Sequence, residues 1–236
     1  MTRAMTRYPK LQQQGFTIIE LMIATIVFAV ILLVVSAGVM RFTTDFYKSI
    51  NTSTTQNAGR NAIAGMSEAI EFSTSVTSSP PATGSTVGYV CAGNEEFAYV
   101  LGNALPNTAG YGLYRFKPTG GCGPVGVPAS STPGWGGGQE LLGAHMRLVY
   151  LDVEQADTTD PTSIWNISLK VAYGENDLIC SPSLGSAAGG CNANAAQYPA
   201  TLPVTAADVQ CRPSSGSQFC SMVSLHTGVA QRLVGP

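Results

Sequence analysis

Apolar residues form one long run near the beginning of this chain. Residues 16–40 make up a stretch of 25 positions in which Glu20 is the only charged side chain. A helix of that length spans ~37 Å, which is enough to cross the ~30 Å hydrocarbon core of a bilayer. The pattern therefore predicts a membrane-inserted helix, with one carboxylate close to its start.

The segment that follows, residues 41–76, has no proline and continues with two apolar stripes at helical spacing. The first stripe comprises Phe42, Phe46 and Ile50, and the second comprises Ile63, Met66 and Ile70. At 100° per residue the second stripe is rotated by roughly 130° from the first. We predict that the first stripe faces neighbouring molecules and the second faces this chain's own sheet. A fray or kink near Gly59 is the alternative, because the residues "NTSTT" before it have low helix propensity.

Beyond the helix, the sequence "SSPPATGS" at 78–85 predicts a break, and strand-like segments follow. The clearest is "SIWNISLKVAYG", in which apolar side chains alternate with Asn166, Ser168 and Lys170. Weaker strand signals are "EFAYVL", "YGLYRFK", "HMRLVYLDVE" and "FCSMVSLHTGV". Residues 118–138 and 181–206 are rich in small residues and proline and predict long loops. The fold class expected is α+β, a long N-terminal helix packed on a mainly antiparallel sheet.

The charges around the apolar run predict its orientation. Arg3, Arg7 and Lys10 precede the run and no acidic residue does, so the N-terminus is expected on the cytoplasmic side and the rest outside. All the cysteines lie on the exported side, and they are Cys91, Cys122, Cys180, Cys191, Cys211 and Cys220. An even number of cysteines in an oxidising compartment predicts disulfides. The pairing expected is between neighbours: Cys91–Cys122, Cys180–Cys191 and Cys211–Cys220.

Composition and motifs argue against catalysis and nucleic-acid binding. Only 11% of the residues are charged, and no basic cluster suited to phosphates is present. The sequence "GCGPVG" at 121–126 matches a dinucleotide fingerprint formally, but Pro124 and Pro128 exclude the helix that the fingerprint requires. The only two histidines, His145 and His226, lie in strand-like segments and are expected to be structural. We predict no catalytic residue, no cofactor and no metal site.

An acidic segment, "LDVEQADTTD", brings together Asp152, Glu154, Asp157 and Asp160. Calcium prefers oxygen ligands of this kind, but the spacing fits no defined calcium loop, so a solvated acidic loop is the preferred interpretation.

Three interpretations of the apolar run have to account for Glu20. A secretory signal peptide with cleavage after "VSA" at 35–37 is the first, although the run is longer than the usual 7–15 apolar residues. An ordinary membrane anchor is the second. In both interpretations the carboxylate has no function, and an acid within a membrane helix costs up to ~3 kcal/mol at its centre.

The third interpretation accounts for the carboxylate. The block "GFTIIELMIA" after a short basic leader resembles the signal of type IV prepilins and type II secretion pseudopilins. This resemblance implies that a dedicated peptidase cleaves after Gly15, that Phe16 is then N-methylated, and that Glu20 is the assembly glutamate. The implied domains are a leader, 1–15, an N-terminal helix, 16–77, whose part 16–40 spans the membrane, and a globular domain, 78–236.

Cleavage would also create a partner for Glu20. A buried carboxylate requires a counter-charge, and the α-ammonium of Phe16 remains basic after methylation. Between staggered helices the ammonium of one subunit can meet the glutamate of another, which would fix their register.

The large cysteine-bearing domain is similar in form to PilW-like minor pilins, and less closely to the J pseudopilin of type II secretion. The resemblance implies a non-enzymatic filament subunit whose partners are other pilins, the prepilin peptidase and an inner-membrane assembly platform. It implies residence in the inner membrane before assembly and in a periplasmic or extracellular filament afterwards. A membrane-anchored extracellular binding protein, with Trp135 in its glycine-rich loop, is the alternative from another class.

Overall fold

The computed structural model describes residues 15–82, 85–102, 112–118, 138–159, 164–180, 209–212 and 216–232. Within them the chain forms a single α-helix, α1 (Ile18–Glu71), followed by ten strands. The strands are β1 (Val76–Ser79), β2 (Val87–Ala92), β3 (Glu95–Val100), β4 (Leu113–Phe116), β5 (Gln139–Glu140), β6 (Met146–Gln155), β7 (Trp165–Tyr173), β8 (Ile179–Cys180), β9 (Gln210–Cys211) and β10 (Ser221–Val229). Two short 3₁₀ turns cover Asn176–Leu178 and Ser217–Phe219.

The strands pair in antiparallel sheets. β1 to β5 form a five-stranded sheet in sequence order, and β10, β7 and β6 form a three-stranded sheet. A two-stranded pair of β8 and β9 completes the arrangement. A parallel bridge between Leu101 and Leu148 connects the residue after β3 to β6. The predicted α+β class with an antiparallel arrangement is confirmed.

The chain divides into two compact units, residues 1–44 and residues 45–236. The hydrophobic core lies in the second unit and is built by the later part of α1 together with both larger sheets. The buried helix residues are spaced three or four apart: Asn51, Thr55, Gly59, Ala62, Met66 and Ile70. Residues at that spacing lie on one face of a helix. The prediction that the second stripe faces this chain's own sheet is confirmed, and the buried face also extends back to Asn51.

Gly59 lies in a region where α1 and β10 approach each other closely. A Cβ at this position would lie 2.8 Å from Cδ1 of Leu225. The helix is unbroken here, so the alternative of a fray near Gly59 is wrong. A side chain at this position would have to displace the end of the Leu225 side chain, so glycine allows the close approach despite its low helix propensity.

The end of the helix corrects a prediction, because α1 ends at Glu71 and not at residue 77. The hydroxyl of Ser73 donates to the carbonyl of Ile70 at 2.9 Å, and the backbone N–H of Arg232 donates to the carbonyl of Glu71 at 2.9 Å. These donors satisfy carbonyls that the last turn of a helix leaves without partners. The residues that follow turn into β1, which pairs with β2.

The clearest strand prediction is confirmed in β7. Ile167, Leu169 and Val171 are buried on its core face, whereas Ser168 and Lys170 on the other face are partly exposed. The four weaker strand predictions correspond to β3, β4, β6 and β10. Most of the two predicted loops, residues 119–137 and 181–206, lies outside the described residues.

Candidate assembly segment and surrounding sites

The predicted cleavage site lies at the beginning of the described chain. Gly15 and Phe16 precede α1, and the side chain of Phe16 is 89% exposed. From Phe16 to Met40 every residue is exposed in the single chain. By length and composition, α1 is the one described helix that could cross a membrane. A long apolar surface of this kind requires a membrane or other protein molecules to cover it.

Glu20 forms a reciprocal set of hydrogen bonds with Thr17. The backbone N–H and the hydroxyl of Thr17 both donate to Oε2 of Glu20, at 2.9 and 2.7 Å. The backbone N–H of Glu20 lies 3.4 Å from the Thr17 hydroxyl oxygen, to which it donates. A threonine before the first turn and a glutamate three residues later make a capping box, which satisfies donors at the start of a helix. Glu20 therefore has a partner within its own helix.

The disulfide prediction is confirmed at one pair and remains a prediction at the others. Cys211 and Cys220 are bonded, with their Cα atoms 5.8 Å apart. Cys91 and Cys180 are also disulfide-bonded. Cys122 and Cys191 lie outside the described residues, so the pairings Cys91–Cys122 and Cys180–Cys191 are not decided.

The two histidines take part in polar contacts of the domain. Nδ1 of His145 lies 2.9 Å from Oε1 of Glu175, and Nδ1 of His226 lies 2.9 Å from the hydroxyl of Ser168. His145 has a positive φ of 61° and is followed by the start of β6. Both contacts join neighbouring segments of the fold, which agrees with the structural role expected for these side chains.

The acidic segment begins on a strand. Asp152 and Glu154 lie on β6, and Asp157 accepts hydrogen bonds from Thr159 in the turn that follows. Asp160 lies outside the described residues. Among the residues that are described, no group of three or more His, Cys, Asp or Glu side chains is arranged to hold a metal ion.

A polar cleft of about 420 Å³ lies beside the C-terminal end of α1. Its walls include Phe72, which is 60% exposed, and an ion pair in which Arg115 lies 2.6 Å from Glu95. Nζ of Lys117, the residue directly after β4, lies 3.9 Å from the carboxylate of the same glutamate. Cationic and anionic groups therefore lie together in an open site.

The carboxylate of Glu140 organises the edge of the five-stranded sheet. It accepts backbone hydrogen bonds from Gly112 at 3.0 Å, Leu113 at 2.9 Å and Leu142 at 3.0 Å. Burial raises the pKa of Glu140, against the lowering effect of these hydrogen bonds. The donors from Gly112 and Leu113 tie the short strand β5 to the beginning of β4.

The comparison with known protein families concerns the N-terminal segment. Residues 10–36 match the family model described as "Prokaryotic N-terminal methylation motif". The match supports a type IV pilin-like or pseudopilin protein, and with the apolar helix it fits membrane anchoring. No curated protein and no solved structure matches the chain.

Two features of the structure were missed in the sequence interpretation. The spacing Thr17-x-x-Glu20 predicts a capping box at the start of a helix, but Glu20 was interpreted only as an assembly residue. The position of Phe219 beside Tyr47 could not have been found, because the two residues are far apart in the sequence and their contact depends on the tertiary fold.

Proposed function

We propose that this chain is a non-enzymatic structural subunit of a type IV pilus, a minor pilin of the PilW-like kind. Its N-terminal methylation motif and its exposed apolar helix, taken together, are the observation that carries the proposal. In this proposal a prepilin peptidase cleaves between Gly15 and Phe16, and the new N-terminus is methylated. The mature subunit then leaves the inner membrane and joins a filament.

Glu20 is proposed to guide assembly by a change of partner. In the single chain its carboxylate caps the beginning of α1 through Thr17. Next to a neighbouring helix it would accept the terminal ammonium of that subunit, where an unpaired charge would be costly. The hydrophobic core of the globular unit, residues 45–236, contains no residue from the segment before 45.

The partners proposed are other pilins, bound through the N-terminal helix, and the peptidase and inner-membrane platform that process and assemble them. The subunit is placed in the inner membrane with its N-terminus in the cytoplasm before assembly. Afterwards it is placed in the periplasmic or extracellular part of a filament.

The test is mass spectrometry of sheared filaments, with subunit abundance measured in the same samples. We expect a mature N-terminal peptide that begins with N-methyl-Phe16 and an abundance well below that of the main subunit. Replacement of Gly15 by a bulky residue is expected to leave the full-length protein in the membrane fraction. A mature chain that begins at Gly38 would support the signal-peptide interpretation and contradict the proposal.

Two alternatives give different outcomes in the same experiment. A J-like pseudopilin would carry the same modified N-terminus but would support secretion and not surface filaments. A membrane-anchored binding protein would stay with the membranes when filaments are sheared, and the polar cleft beside Phe72 is the feature that would serve it. Trp135, which that alternative would also use, lies outside the described residues.

A further inference from the structure

The three-stranded sheet has two edges that differ in their protection against pairing with other chains. One edge is β6, which has a bulge between Leu148 and Tyr150. It also carries three charged side chains: Arg147, Asp152 and Glu154. Bulges and charges are devices that keep an edge strand from pairing with another strand. The other edge is β10, with the sequence "SMVSLHTGV", which contains no proline and no Asp, Glu, Lys or Arg. Its pairing with β7 is regular over its whole length.

The register of the sheet shows which backbone groups of β10 point outward. Just beyond the paired ends of β6 and β7, the N–H of Ala156 donates to the carbonyl of Ile164. In an antiparallel pair, residues that exchange hydrogen bonds alternate with residues that do not. The even-numbered residues of β7 therefore bond to β6, and its odd-numbered residues, such as Leu169, bond to their partners in β10, such as Leu225. The remaining residues of β10 direct their N–H and C=O groups away from the sheet, and they are Met222, Ser224, His226 and Gly228.

These outward N–H and C=O groups form one continuous row, which we call the open edge of β10. Ser224, His226 and Gly228 are exposed, and no hydrogen bond joins the row to any other residue that the structure describes. At ~3.3 Å per residue the strand is ~30 Å long. On the core face of the sheet, Leu225 and Thr227 are only partly buried. A long, regular and uncharged edge of this kind is a template for the addition of another strand.

Two arguments indicate where the added strand comes from. Two copies of the chain joined through β10 would make an isologous contact, which closes a dimer, whereas neighbours along a filament make heterologous contacts. A heterologous contact between copies requires a second long and unprotected edge. Among the described strands the other edges are short or protected: β1 has four residues, β5, β8 and β9 have two each, and β6 has its bulge and charges. A strand from a different polypeptide therefore fits the open edge best.

We propose that the open edge of β10 binds an extended segment of a different filament subunit, which adds a fourth strand to the three-stranded sheet. The choice of a filament subunit rests on the proposed function. The segment is uncharged where it faces β10, since this edge offers no counter-charge, and its side chains alternate between apolar and polar. The apolar side chains cover Leu225 and Thr227 on the core face. The polar side chains lie beside Ser224 and His226 on the opposite face.

A proline substitution on the open edge tests the proposal in the full-length protein. Ser224→Pro removes one outward N–H but leaves the bonds to β7 intact, because Val223 and Leu225 make them. Edge strands tolerate proline at a position whose N–H points outward. Ser224→Ala is the matched control, since it removes the same hydroxyl and keeps the N–H. The abundance of each variant is compared in membrane and sheared-filament fractions from cells at normal expression.

We expect Ser224→Pro to be processed like the wild type and to keep its thermal unfolding midpoint. In filaments it is expected to be depleted by about tenfold or more, because the added strand loses a hydrogen bond and meets the proline ring. Ser224→Ala is expected at the wild-type level. Incorporation of Ser224→Pro at the wild-type level would overturn the proposal.

Hydrogen–deuterium exchange of the wild-type chain is a second measurement that does not depend on the folding of a variant. In dilute detergent solution the amide of Leu225 is expected to be protected, whereas those of Ser224 and His226 exchange rapidly. In sheared filaments all three amides are expected to be protected. Rapid exchange at Ser224 and His226 in filaments would show that no strand is added. Protection that appears in detergent as the protein concentration rises would show that a second copy covers the edge, which also contradicts the proposal.

The same samples separate this inference from the proposed function. Absence of the wild-type subunit from sheared filaments would contradict the proposed function and with it the choice of partner. Presence of the subunit in filaments, with rapid exchange at Ser224 and His226, would overturn only the proposal for the open edge of β10.

Discussion

The carboxylate of Glu20 accepts hydrogen bonds from both the backbone N–H and the hydroxyl of Thr17, its neighbour three positions earlier. A cap of this kind contributes ~0.5–2 kcal/mol to a helix. Both bonds go to Oε2, so an ammonium of a neighbouring subunit that bound this oxygen would compete with the cap. Docking would therefore be less favourable by the part of the capping free energy that is lost.

Two substitutions separate the charge of Glu20 from its capping role. Glu20→Gln removes the charge, but glutamine serves in a capping box as glutamate does. We expect this variant to insert in the membrane and to be cleaved, yet to be missing from sheared filaments. Thr17→Ala, which removes the hydroxyl from the cap and keeps the charge, is expected to be incorporated. The measurement is immunoblotting of membrane and sheared fractions at normal expression.

The opposite pattern would assign Glu20 a purely structural role. If Glu20→Gln is abundant, processed and incorporated like the wild type while Thr17→Ala is excluded, the cap and not the charge is what assembly requires.

Two glycine-to-alanine changes test how tightly the helix and the sheet are packed. At Gly59 the new Cβ meets Cδ1 of Leu225, the end of a flexible side chain, and the helix gains up to ~1 kcal/mol in propensity. At Gly88 the new Cβ would overlap the ring and the hydroxyl of Tyr99, which is 1% exposed. We expect Gly59→Ala to change the free energy of unfolding little and Gly88→Ala to lower it by roughly 1–3 kcal/mol. Urea denaturation in detergent measures both, and equal effects would contradict the expectation.

The partly buried carboxylate of Glu140 predicts a particular dependence of stability on pH. Because burial raises its pKa above the usual 4.5, its contribution to stability is fully present below that value and is lost as pH rises through the folded-state pKa. We expect the free energy of unfolding of the wild type, relative to Glu140→Gln, to decrease as pH rises from 4 to 7. Denaturant titrations at several pH values measure this difference. A difference that increases over the same range would show that the three backbone donors outweigh burial.

Removal of the same side chain tests the donors themselves. Glu140→Ala leaves the backbone N–H groups of Gly112, Leu113 and Leu142 without their acceptor. Each unsatisfied buried group costs roughly 1–3 kcal/mol. We expect this variant to be less stable than Glu140→Gln at every pH, and hydrogen exchange at Leu113 to accelerate. Unchanged exchange there would contradict the role of the carboxylate.

The disulfide between Cys211 and Cys220 is expected to stabilise the loop before β10. The two cysteines are nine positions apart in the sequence. Replacing both by serine is expected to lower the free energy of unfolding by about 2–3 kcal/mol, which is the chain-entropy value for a loop of this length. The loss is measured by thermal denaturation under oxidising conditions. The control is the wild type under reducing conditions, which is expected to lose at least as much because its other disulfides are reduced as well. A double variant as stable as the oxidised wild type would contradict the prediction.

Apolar periodicity identified the elements that are held by apolar contacts. Met66 and Ile70 were recognised as the core face of the helix, and the alternation in β7 placed Ile167 and Leu169 correctly. The same pattern could not identify Asn51 and Thr55, which are buried although polar. The side chain of Asn51 donates to the carbonyl of Gln218, a partner that only the tertiary fold brings near. The hydroxyl of Thr55 donates to the carbonyl of Asn51 one turn earlier in the same helix, which satisfies it without an outside partner.

The end of the helix was missed for a similar reason. The prolines after residue 79 set the latest possible end, but the carbonyl of Glu71 is satisfied by Arg232, a residue near the other end of the chain. Arg147 is buried on β6 and donates a hydrogen bond to the carbonyl of Gly174. Its residue type alone would predict a position on the surface. Long-range polar contacts of this kind leave no periodic signal in a single sequence.

The contacts between α1 and the C-terminal segment have a consequence for the order of events during export. Asn51, Thr52 and Ser73 bind residues that follow them by 167, 169 and 158 positions. In the proposed topology, with the N-terminus retained in the cytoplasm, the helix would cross the membrane first and β10 would cross last. The core face of the helix would therefore stay uncovered until almost the whole chain had been translocated. In that topology a chain truncated before β10 would keep the core face of α1 uncovered, because the residues that contact Asn51 and Thr52 would be missing.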